Sequence, residues 1–122
     1  MSNTITGGCH KYATHHVAIL DYDWLSAADG TATEISPQLG GLLYRVVTVP
    51  DTGATVPTTL YDITITDAHG LDILGGAGVN RSATAAELVV LPVIPTVYGG
   101  VLTLNVSAAG AAKGGHCYLY FV

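Results

Sequence analysis

TLYDITIT, residues 59–66, is the stretch that decides the fold. Tyr61, Ile63 and Ile65 fall on one side of an extended chain, and Asp62, Thr64 and Thr66 on the other. That period of two belongs to a strand with one buried face. The same pattern recurs outward from it. VLTLNVSA (101–108) turns Leu102, Leu104 and Val106 to one side, and HCYLYFV (116–122) closes the chain as a strand. Upstream, HHVAILDYDW (15–24), TATEIS (31–36, stopped by Pro37) and LLYRVVTV (42–49, stopped by Pro50 and the turn PDTG) are β-branched and aromatic. Turn residues return about every 8–12 positions, as in all-β sandwiches and barrels. The expected fold is all-β, a β-sandwich or jelly-roll-like domain of about 7–8 short antiparallel strands. One helical turn at most is expected, in TAAELVVL, where Thr84 and Glu87 have capping-box spacing before Pro92. Gly7–His16 reads as an irregular arm, which divides the chain into an arm over 1–16 and a single sandwich over 17–122.

Composition narrows the function classes. The 122 residues are 49% apolar, which excludes a disordered chain. Only 11% are charged, against about a quarter in ordinary soluble domains. A small domain with so few charges has a surface built from Gly, Ala, Thr and Ser, suited to being covered by neighbours. The formal net charge is −5, and the four basic residues Lys11, Arg45, Arg81 and Lys113 are scattered. Nucleic-acid binding is therefore not expected. No apolar run approaches the roughly 20 residues of a membrane helix, so no membrane partner is expected. MSNTITGG at the start has neither the basic nor the apolar region of a secretory signal, and Cys9 and Cys117 are expected as cytosolic thiols.

Several constellations invite chemical readings. GGAGVNRS (75–82) follows the apolar run LDIL as a phosphate-binding loop would. The second glycine position of that motif holds Asn80, however, and the lysine position holds Arg81. The structural reading is preferred: Gly75, Gly76 and Gly78 supply backbone angles other residues resist, and Asn80 tolerates left-handed geometry. Arg81 is expected to pin the loop through Asp62, Asp67 or Asp72. Asp67, His69 and Asp72 lack the spacing of a calcium loop and suit a turn. Asp21 and Asp23 share one strand face, which disfavours a glycosidase pair that must flank its sugar; a solvated face with Trp24 behind it is expected. Cys9, His10, His116 and Cys117 form a mirrored CH and HC pair, a weak zinc alternative, since His116 and Cys117 point to opposite faces of a strand. A disulfide between the cysteines is a lesser option. Ser82 stands in no nucleophile elbow. NRS (80–82) and NVS (105–107) match the glycosylation acceptor pattern without a secretory route to use it. No catalytic set, cofactor or metal is expected.

The segment PTTLYDITITDAHGLDILGGAGVNRSAT (57–84) resembles a family of small structural proteins of tailed bacteriophages. Its members carry a motif similar to Y-D-[IV]-T-[IL]-T-D-x-x-G-x-D-[IV]-L-G-G-x-G-x-N-R. Here it spans Tyr61 to Arg81 and includes Asp62, Asp67, Asp72, Gly75, Gly76, Gly78, Asn80 and Arg81. The resemblance runs from about Gly40 to the C-terminus. It implies a non-enzymatic virion component, foremost a capsid decoration or cement protein bound to the major capsid protein. Self-association as a trimer or dimer is expected with it. A neck or tail protein of the virion is the alternative. Another is a carbohydrate-binding sandwich using Trp24, Tyr98, Tyr118 and Tyr120.

Overall fold

The computed structural model describes residues 8–13, 18–92 and 96–122. Among them nine strands run antiparallel in two sheets, and the only helical element is a 3-10 turn at Gly53–Thr55. The strands are β1 (Cys9–Ala13), β2 (Ala18–Leu25), β3 (Ala32–Ile35), β4 (Leu39–Pro50), β5 (Asp62–Thr66), β6 (Glu87–Val89), β7 (Thr96–Gly100), β8 (Thr103–Ser107) and β9 (Gly114–Phe121). The larger sheet has the order β1-β2-β9-β4-β6, with β7 also on β4; the smaller is β3-β8-β5. The fold is the all-β sandwich that the alternation implies.

The core lies between the sheets. Leu20, Tyr22 and Trp24 of β2, Leu43 and Val46 of β4, and Cys117, Leu119 and Phe121 of β9 face Ile63, Ile65, Leu104 and Val106 of the smaller sheet. Tyr61, Ile63 and Ile65 are buried and their alternates half-buried, as are Leu102, Leu104 and Val106 against theirs. Burying such side chains stabilises the fold by about 1.5–3 kcal/mol each. The Trp24 and Tyr61 rings meet across the core at 5.4 Å. Tyr22 ties the layers further, its hydroxyl donating to the Leu102 carbonyl at 2.6 Å.

Three segments differ from the sequence expectation. Cys9–Ala13, within the presumed arm, is a sheet strand: it pairs with β2 from Cys9 opposite Tyr22 to Ala13 opposite Ala18. Residues 1–7 and 14–17 lie outside the described residues. Glu87–Val89, read as part of a helical turn, is β6 on the edge of β4. Ser82 Oγ accepts the N–H groups of Thr84 and Ala85, and the Glu87 carboxylate accepts Ser82 N–H at 2.7 Å. The Glu87 carboxylate thus caps Ser82 rather than the Thr84 N–H of a capping box, and Ser82 forms a hydroxyl-closed turn. The third segment is β7, preceded by Pro95 and carrying two glycines.

β4 also carries a bulge. Leu43 pairs with Phe121 and Arg45 with Tyr120, so Tyr44 is an extra residue. The bulge sets Tyr44 and Arg45 side by side on the outer face. Both contact Tyr120, Tyr44 ring to ring at 6.2 Å and the Arg45 guanidinium over the ring at 5.4 Å.

Candidate functional site

The glycine loop lies along the open edge of β5. Ile63 N–H donates to Gly78 O, Ile73 N–H to Ile65 O, and Arg81 N–H to Tyr61 O. Asp72 is the hub. One carboxylate oxygen accepts Ile65 N–H (3.0 Å) and Leu74 N–H (3.1 Å), and the other accepts Gly76 N–H (3.0 Å). Asp67 closes the preceding turn by accepting His69 and Leu71 N–H, and Asp62 accepts Asn80 N–H at 2.8 Å. Leu74 is fully buried and anchors the loop in the core.

This arrangement decides against a phosphate cradle. The N–H groups from Ile73 to Ala77 and from Asn80 to Ser82 already donate within the chain, several of them to carboxylates. An incoming phosphate would meet negative charge where it needs donors. Gly75 (φ +60°), Gly76 (φ +85°) and Asn80 (φ +57°) occupy the left-handed region, as expected. Gly78 does a different job. A Cβ there would stand 2.4 Å from Ile63 O, so the glycine is required for space rather than angle.

Arg81 does not pair with Asp62, Asp67 or Asp72, contrary to expectation. Its Nε and Nη2 donate to Val79 O, and Nη1 lies 3.7 Å from Glu87 Oε1. The reason is that Asp62, Asp67 and Asp72 each accept backbone N–H groups, which fixes them inside the loop.

Asp21 and Asp23 also depart from expectation: both are buried rather than solvated. They occupy the outer face of the larger sheet, opposite the core-facing Tyr22 and Trp24. Tyr118 of β9 is the cross-strand partner of Asp21, and His116 that of Asp23. His116 Nδ1 lies 2.8 Å from Asp21 Oδ1, and Nε2 lies 3.9 Å from Asp23 Oδ1. The His116 ring stacks on Tyr118 at 5.5 Å, with the planes 6° apart. His10 stands opposite Asp21 from the β1 side. The Asp21 hydrogen bond holds the His116 imidazole above its ordinary value; burial opposes this, and the charges of Asp21, Asp23 and Asp51 add to it.

The CH and HC pairs separate by face. Cys9 and Cys117 both stand opposite Tyr22, one on either side, looking into the core. Their backbones are two strand spacings apart, about 9.5 Å, beyond the roughly 7 Å limit of a disulfide. Both are free thiols. Burial first, then the charges of Glu34 and Asp21, pushes the Cys9 thiol up to about 12; burial foremost raises Cys117 as well. With His10 and His116 on the outer face, the four side chains do not converge on one ion. Among the described residues no three His, Cys, Asp or Glu side chains form a metal-holding group. His15 and His16 lie outside the described residues. The aromatic quartet divides likewise: Trp24 is in the core, Tyr118 and Tyr120 face out, and the Tyr98 side chain lies outside the described residues.

Neither the family models nor the curated proteins give a match to this chain.

Proposed function

We propose that the chain is a structural component of a tailed-bacteriophage virion, a decoration or cement protein seated on the major capsid protein lattice. The motif of residues 61–81 supplies the resemblance. One observation carries the physical side of the reading: large apolar side chains stand exposed on a surface with few charges. Ile35, Leu60, Leu71, Leu88 and Val90 are 56–77% exposed. A surface this poor in charge that also exposes large apolar side chains suits contact with a neighbour. The mechanism is linkage. A copy that binds only the assembled lattice stabilises it by about 2.7 kcal/mol when its free concentration is a hundred times Kd. Copies that also contact one another close as a trimer or dimer.

The deciding experiment is quantitative mass spectrometry of purified virions. A copy number comparable to that of the major capsid protein supports the shell reading. A handful per particle moves the chain to the neck or tail, and absence from particles removes the proposal. One observation favours a second reading as a carbohydrate-binding module: Tyr118 and Tyr120 share the outer face with Tyr44 and Arg45. Glycan-array binding by the purified protein tests it.

A further inference from the structure

We propose that Asp21, Asp23 and His116 form a pH-operated clasp on the outer face of the larger sheet, one that holds β2 to β9 and steadies the edge strand β1. The geometry carries it. One imidazole lies between two carboxylates of the neighbouring strand, at 2.8 Å and 3.9 Å, and the nearer carboxylate is fully buried. Asp21 and Asp23 are two residues apart on one strand face, about 7 Å by the strand rise. With His116 protonated, a cation stands between them. With His116 neutral, the charge-assisted contact to Asp21 is reduced to an ordinary hydrogen bond and the attraction to Asp23 is lost.

Among the described residues, the groups that face His116 include Asp21 and Asp23 on β2, His10 on β1 beyond Asp21, Tyr118 on β9 and Asp51 after β4. Among the described residues β1 ends the sheet, and it pairs with β2. Asp23 N–H, within the clasp, donates to Gly8 O at the root of β1. Loosening this part of β2 therefore loosens the attachment of β1.

The direction of the effect follows from linkage. A histidine raised in the folded state contributes stability in full below the unfolded value of 6.5, and that stability is lost as pH rises through the folded value. The clasp is closed in mild acid and opens toward alkaline pH. This inference stands on the isolated chain, independently of the virion assignment.

The test uses the purified full-length protein from about pH 5.5 to 9, the span that brackets an imidazole raised above its ordinary value. NMR of the His116 ring should give a midpoint above 6.5. Amides of β1, corrected for intrinsic exchange and compared with those of β4, should lose about tenfold in protection across that range. The melting temperature should fall over the same interval, and His116→Gln should flatten that slope. Asp23→Asn removes one charge but keeps the Asp21 contact, so an intermediate slope is expected; it serves where His116→Gln fails to fold. A His116 midpoint at or below 6.5 overturns the clasp. So does β1 protection that stays constant relative to β4, or a wild-type slope retained in either variant.

Discussion

Two groups of aspartates occupy opposite sides of this sandwich and are satisfied differently. Asp62, Asp67 and Asp72 sit beside the edge of β5, where their oxygens accept backbone N–H groups. Asp21 and Asp23 sit on the outer face of the larger sheet, where a histidine side chain stands between them. A carboxylate bonded to amides has partners that never titrate. One paired with an imidazole depends on a proton that leaves near neutral pH. The first region is a fixed structural device that covers a sheet edge and so blocks edge-to-edge pairing. The second is a device whose strength the solvent can set.

The harshest way to break the fixed region is Gly78→Ala. The added Cβ would stand 2.4 Å from Ile63 O and 2.6 Å from Ile63 Cγ1. Backbone cannot yield there without giving up the Ile63 N–H to Gly78 O bond. A loss of about 3 kcal/mol or more is expected, at the severe end for a point substitution. Urea unfolding measures it, and a loss below about 1 kcal/mol would show that the loop does not grip β5 as described.

Asp72→Ala comes next. It strips the acceptor from three amides, of which Ile65 N–H belongs to β5 itself. The expected loss is about 2–3 kcal/mol. It should be equal at pH 6 and pH 8.5, since the lost partners are amides. His116→Gln sharpens the contrast. Its ring is partly exposed, so solvent screening limits the loss to about 1 kcal/mol at pH 6, shrinking toward zero at pH 8.5. Parallel unfolding curves for both variants at the two pH values distinguish a fixed region from a titrating one.

The two regions were not equally legible in the sequence. The alternation of residues 59–66 and 101–108 gave the buried faces of β5 and β8, because side-chain period and burial are the same fact in a half-buried strand. The loop was legible as a turn because Gly, Asn and Asp each carry a local backbone signature. The clasp was not, because Asp21 and His116 are 95 positions apart and meet only through the pairing of β2 with β9. Alternation around Asp21 and Asp23 marks them as opposite in face to Tyr22 and Trp24, but only the fold says what covers that face. β1 was missed for a related reason. At the sheet edge its core-side position Lys11 stays exposed, so no clean alternation marks the strand. The Thr84 and Glu87 spacing misled because β6 pairs with β4 and Glu87 finds a nearer amide at Ser82.

Arg81 supplies the smallest test, and one that separates the motif from its mechanism. Sequence position suggests an arginine that pins the loop through Asp62, Asp67 or Asp72. The structure instead gives it the Val79 carbonyl and a 3.7 Å approach to Glu87, whose side chain is 35% exposed. A partly exposed pair at that distance contributes about 0.2–1 kcal/mol, and the turn carbonyl adds little because water can replace the donor. Arg81→Gln should therefore lower stability by less than about 1 kcal/mol, and added salt should erase part of that loss. The Asp72→Ala penalty should be unchanged in the Arg81→Gln background, since Asp72 spends its oxygens on amides and none on the guanidinium. A double-mutant cycle reads this directly: additivity within about 0.5 kcal/mol keeps the two residues independent. Coupling well beyond that would restore the arginine-pinned loop and require Asp72 to face Arg81 in solution.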